Sequence, residues 1–174
     1  MQLANCFLPL LFIACGAQGP GAIAPGPALL FKSGTHGLSP AEQQFIFDKI
    51  DLQLTADGQA FEDKVCHQPA DAAVEAPDLN GDGTPEILVI FGNTCLSGST
   101  EHSLVLFIRK DGEYRPHLGF PGADVEALPE RNLGFADLRI GGPGFCFPVW
   151  RWDGNDYQFL RQDAMQPGGC DEVD

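Results

Sequence analysis

The sequence predicts a mainly β fold: six to eight short antiparallel strands with one N-terminal helix packed on the sheet. Three observations carry that expectation. Short apolar runs recur along the chain, such as ILVIF at 87–91 and SLVLFIR at 103–109. Turn steps of the Asp-Gly type stand between runs, at 57–58, 111–112 and 153–154, and such steps supply the positive φ angles of tight hairpins. Finally, 21 Gly and 14 Pro suit many turns better than long helices.

The 174 residues leave room for one domain of ordinary size, and 44% hydrophobic residues including 13 Phe are enough to build a core. Twenty-four acidic residues against 10 basic ones give a net charge of −14. That excludes nucleic acid and anionic membrane as binding surfaces and favours cations or a basic protein.

Residues 1–15 read as a signal peptide of lipoprotein type, 16–30 as a flexible tether and 31–174 as a single β-rich domain. CFLPLLFIA at 6–14 is an uncharged apolar run too short to span a bilayer, followed by small residues. The segment MQLAN before it lacks the usual Lys or Arg. Phe12-Ile13-Ala14-Cys15 resembles a bacterial lipobox, with Phe in place of the usual Leu, which implies lipidation at Cys15. The alternative is a soluble exported protein cleaved near Ala17. The expected location is the periplasm, or the outer membrane through a lipid anchor alone. GAQGPGAIAPGPA at 16–28 has no apolar period, as a tether requires.

Six cysteines are present. With Cys6 in the signal and Cys15 lipidated, Cys66, Cys95, Cys146 and Cys170 remain, an even number that predicts two disulfides in an exported chain. Three pairings are open. The one preferred, Cys66–Cys95 with Cys146–Cys170, keeps both loops local. Zinc is disfavoured, because no pair has CxxC spacing and His67 is the only histidine nearby.

The expected helix lies in LSPAEQQFIFDKID. Ser39 is its N-cap, Pro40 its first residue and Glu42 completes a capping box. Phe45, Ile46 and Ile50 fall close to one face, to pack on a sheet. ILVIF then leads into the polar loop GNTCLSGSTEH, SLVLFIR turns through Lys110-Asp111-Gly112 into EYRPHL, and ADLRI (136–140) runs into GGPGFCFPVWRW. VWRW and DYQFL form a final hairpin across Asp153-Gly154-Asn155. Along CFPVWRW, alternation places Trp150 and Trp152 toward a packing face and Arg151 toward the surface.

DLNGDGTPEILVI at 78–90 carries the chemistry. Calcium needs six to eight oxygens on a sharply curved backbone. Asp78, Asn80 and Asp82 supply side chains at alternate positions, Gly83 permits the turn, Thr84 offers a carbonyl and Glu86 stands ninth. In a helix–loop–helix hand the twelfth position is a bidentate acid; here it is Val89. The competing reading is an Asx-rich turn without an ion. D-x-N-x-D-G-x-x-E followed directly by an apolar strand resembles the loops of FG-GAP and VCBS-type proteins. That resemblance implies Ca2+ held by Asp78, Asn80, Asp82 and Glu86 with the Thr84 carbonyl.

The exported start, the SPAEQ helix, DLNGDGTPE and GGPGFCFPVWRWDG together resemble, more loosely, bacterial periplasmic lysozyme-inhibitor-like immunity lipoproteins. This implies a role against peptidoglycan hydrolases without pointing to an inhibitory residue.

Catalytic candidates are scattered. His36, His67, His102 and His117 sit in no nucleophile or metalloprotease motif. Ser97, Ser99 and Ser103 flank His102, but no GxSxG elbow or partner Asp accompanies them. Asp124, Glu126 and Glu130 are acids without a pairing that sequence defines. The chain therefore reads as a non-enzymatic, calcium-stabilised protein-binding domain of the bacterial envelope, in the form of an inhibitor or immunity protein. Its expected partner is basic, such as a peptidoglycan hydrolase. The alternative is a calcium-dependent envelope hydrolase or a carbohydrate-binding module. Phe145, Phe147, Trp150, Trp152 and Tyr157 cluster near GGPGF and are expected mainly in the core.

Overall fold

A computed structural model describes residues 23–171; the signal and lipidation readings, Cys15 included, lie outside them. The apolar runs become ten strands in two antiparallel meanders. The first sheet joins β1 (Leu52–Leu54), β2 (Phe61–Asp63), β3 (Pro69–Glu75), β4 (Ile87–Gly92), β5 (Ser103–Lys110) and β6 (Glu113–Pro121) in chain order. The second joins β7 (Asp124–Asn132), β8 (Phe135–Gly141), β9 (Cys146–Trp152) and β10 (Tyr157–Ala164), with β7 and β10 at its edges. The mainly β class thus holds, with more strands than the six to eight expected.

The turn chemistry acts as the sequence suggests. Asp111 and Gly112 take φ of 54° and 85° between β5 and β6, both positive as a two-residue hairpin requires. Tyr157 pairs with Trp152 across the expected final hairpin.

One expected helix is corrected to three among the described residues: α1 (Pro25–Leu30), α2 (Pro40–Asp48) and α3 (Thr94–Ser97), with a 3₁₀ turn at Gly98–Thr100. Helix α2 is the one expected. Ser39 Oγ accepts from Glu42 N–H, and Glu42 Oε2 accepts from Ser39 N–H at 2.8 Å. Its inward stripe differs, however: Gln43 and Ile46 are buried, with Phe47 partly so and Ile50 just beyond. This is i, i+3, i+4, i+7 spacing. Phe45 stays outside, with Lys49 Nζ 5.2 Å from its ring centroid. Helix α1 occupies the end of the stretch expected to be a tether. Pro25 starts it, and Leu30 and Phe31 enter the core; six residues are too few to display a period. Helix α3 lies in the loop after β4, where Asn93 Oδ1 accepts from Cys95 N–H and Leu96 N–H.

The layers explain the apolar runs. One face of the first sheet, with Ile87, Val89, Phe91 and Phe107, packs on Leu30, Ile46 and Ile50. The other face, with Leu88, Leu104, Leu106 and Ile108, meets Leu138, Ile140, Trp152 and Tyr157 of the second sheet. Strand β4 is therefore covered on both sides, which is why ILVIF is continuously apolar. Arg151, expected at the surface, lies on the outer face of the second sheet. There its guanidinium grips the fully buried Asp137 through Nε–Oδ1 at 3.0 Å and Nη2–Oδ2 at 2.6 Å.

The disulfides are Cys66–Cys95 and Cys146–Cys170, and two such bridges fit an oxidising compartment. Among the described residues no helix is long and apolar enough to cross a membrane.

Candidate functional site

The loop at 78–86 enters β4 through turns that its own side chains make. Gly81 and Gly83 take φ of 78° and 83°, values that a side chain would strain. Asp78 accepts from Gly81 N–H at 2.7 Å and Gly83 N–H at 3.1 Å. Asn80 Oδ1 accepts from Asp82 N–H, and Asp82 Oδ1 accepts from Thr84 N–H at 2.6 Å. Thr84 N–H and the Asn80 amide hold the Asp82 carboxyl below its ordinary range.

Glu86 is the exception in this loop. It is only 3% exposed, and its Oε2 accepts from Leu79 N–H at 2.7 Å. Burial pushes its carboxyl up to about 7; the Leu79 amide opposes the shift, and the charges of Asp82 and Asp78 add to it. A buried carboxylate beside two others is expensive to ionise without a cation.

Two further contacts join the loop to the rest of the fold. Tyr114 Oη donates to the Pro85 carbonyl at 2.9 Å. The Leu79 carbonyl accepts from Arg131 Nη1 at 2.8 Å and from Ala136 N–H at 3.0 Å, so the loop spans the two sheets. Neither contact is signalled in the sequence, because each depends on strand order rather than spacing.

The oxygens that could hold a hard cation are those of Asp78, Asn80, Asp82 and Glu86 with the Thr84 carbonyl, and each of these four side chains already accepts an N–H within the loop. The structure brings these residues into one loop without drawing the three carboxylates into a tight cluster. Among the described residues, the group of His, Cys, Asp or Glu donors lying within 4.8 Å of one another is Asp63, Cys66 and Cys95. That group is structural, because its two sulfurs are bonded to each other; Asp63 accepts from Val65, Cys66 and Gln68 N–H and from Asn93 Nδ2. Burial works to raise the Asp63 carboxyl, and these hydrogen bonds outweigh it and hold it well below the carboxylate range.

The scattered catalytic candidates stay scattered. Ser97 Oγ lies 2.8 Å from Ser103 Oγ, a serine pair that leaves the His102 ring out. Asp124, Glu126 and Glu130 lie along β7, with Glu126 accepting from Arg139 Nε at 3.1 Å. His117 Nδ1 sits 2.8 Å from Asp156 Oδ1, and its ring packs edge-on to Trp152. This pair lies 39 residues apart in the chain, so sequence reasoning had no signal for it. Trp152 and Tyr157 are buried as expected, Trp150 stacks on Phe120 at 5.0 Å, and Phe145 is exposed.

Compared with protein-family models, curated proteins and solved structures, the chain matches none of them.

Proposed function

We propose that this chain is an exported, calcium-stabilised protein-binding domain of the bacterial envelope, anchored by lipid at Cys15, that inhibits a basic cell-wall hydrolase. The observation that carries the calcium part is Glu86. It is a carboxyl buried at a strand entry, with Asp78 and Asp82 raising the cost of its charge. A divalent cation held by Asp78, Asn80, Asp82, Glu86 and the Thr84 carbonyl offsets that cost. Calcium supplies no catalysis in this reading. It fixes the loop that the Leu79 carbonyl links to the second sheet, and its binding energy adds to folding.

The binding part rests on charge. A chain of net charge −14 steers association with basic partners, and steering of this kind weakens with salt. The test titrates the purified chain into secreted lysozyme-type and amidase-type hydrolases, following turbidity of a peptidoglycan suspension at low and high salt. Stoichiometric inhibition that weakens with salt is expected. Cleavage of peptidoglycan by the chain alone would sink the inhibitor reading, as would inhibition of none of these hydrolases.

A further inference from the structure

We propose that the edge of β10, the outermost strand of the second sheet among the described residues, is where the partner docks, by adding an extended, basic-flanked segment of its own as a fifth strand. This deepens the protein-binding reading given above and rests on it.

The sheet edges differ in how they are protected. An edge strand presents unpaired N–H and C=O groups, and proteins blunt it with brevity, proline or charge. Strand β1 is three residues long, β6 carries Pro116 and Pro121, and β7 carries Pro129 among acids. Strand β10 is eight residues long, contains no proline and is the outermost strand of its sheet.

Its exposed positions mix Phe159, Leu160 and Ala164 with Gln158 and Gln162. Of the eight large apolar side chains exposed among the described residues, Phe159 and Leu160 lie on β10, Met165 follows it and Phe145 lies just before β9. Phe159 packs edge-on against Trp150 of β9, with centroids 6.1 Å apart. The Phe145 carbonyl accepts from Met165 N–H at 2.8 Å. The register jumps from Phe159↔Trp150 to Arg161↔Val149, leaving Leu160 without a partner in β9. Such a bulge re-aims a side chain, and Leu160 is 36% exposed.

Charge identifies the occupant. Asp153 and Asp156 precede the strand, and Asp163 and Asp171 stand at and beyond its other end. The one basic residue of β10, Arg161, is already held by Asp163 through Nε–Oδ1 at 2.7 Å and Nη2–Oδ2 at 3.2 Å. Asp163 is thereby compensated and Asp156 lies against His117, so the exposed acids flanking Phe159 and Leu160 are Asp153 and Asp171. A partner strand with β-branched or aromatic residues in its centre and Lys or Arg at its ends complements this edge. A second copy of this chain would bring acid to acid. Backbone bonds give such strand addition its affinity, and alternate side chains give it specificity.

The test selects peptides from a random nine-residue display library on the full chain, then compares their binding to wild type and to Leu160→Lys. Peptides with apolar alternating centres and basic ends are expected, losing tenfold or more of their affinity on Leu160→Lys. They should also lose it when alternate backbone amides of the peptide are N-methylated. An unchanged melting temperature separates this loss from unfolding. The proposal is overturned if no peptide distinguishes wild type from Leu160→Lys, if N-methylated peptides bind equally well, or if the selected peptides are acidic. A dimer that Leu160→Lys dissociates in sedimentation would also overturn it, in favour of a second copy. The selection uses no hydrolase. Failure of hydrolase inhibition with retained peptide binding therefore strikes the partner's identity and not the edge.

Discussion

Replacing Glu86 with Gln separates a buried penalty from a ligand, because the two give opposite signs. Gln keeps an oxygen for Leu79 N–H and removes the charge. The carboxyl sits at about 7 in the fold against an ordinary value of 4.5. As pH rises, the unfolded chain therefore releases this proton first, and stability falls between roughly pH 4.5 and 7 and is level above. A shift of this size sets an upper limit of about 3 kcal/mol, which solvent screening reduces. With chelator at pH 8, Glu86→Gln should raise stability by up to that amount, or about 6–12 °C in melting temperature for a chain of this size. At pH 4 the two proteins should melt together. With calcium at a hundredfold excess over its Kd, wild type gains about 2.7 kcal/mol, and Glu86→Gln should gain far less. The assay is a melt in four buffers, chelator or calcium at each pH. A variant less stable than wild type in chelator at pH 8 would refute the buried penalty, and an equal calcium response would refute Glu86 as a ligand.

Asp82→Ala should lower the melting temperature and remove its calcium dependence, since it loses both a proposed ligand and the acceptor for Thr84 N–H; a melt that still rises with calcium would count against the site. Ser39→Ala dismantles the capping box of α2 and should lower stability by about 1 kcal/mol, read by denaturant titration with an unchanged m-value. Cys15→Ser should move the protein from the membrane fraction to the soluble one, and continued retention would count against lipidation there.

Whether an element was legible depended on whether its cause was local. Strands β4 and β5 announce themselves because both faces are buried and the residues are continuously apolar. The capping box of α2 and the Asp111-Gly112 turn are equally local, since the chemistry and the geometry share a few residues. Strand β3, PADAAVE, is different: small side chains alternate between exposed and half-buried, and pairing with β4 makes it a strand. Strand β7 reads as scattered acid because it lies at a sheet edge. Spacing alone points Phe45 inward, while the stripe through Gln43 and Phe47 depends on where the sheet lies. In the candidate site the oxygen-bearing residues and their order are written in the chain. The burial of Glu86 and the reach of Leu79 to Arg131 and Ala136 are not, because they belong to the packing of one sheet on the other.

The carbonyl of Leu79 ties the two sheets together beside the core they share. It lies in a loop feeding the first sheet and accepts the amide of Ala136 in β8, so the second sheet cannot peel away without breaking that bond. The slowest-exchanging amides of the second sheet should then include Ala136, opening only with global unfolding. A cation at the loop would lengthen that lifetime from a distance, protecting an amide that it never touches.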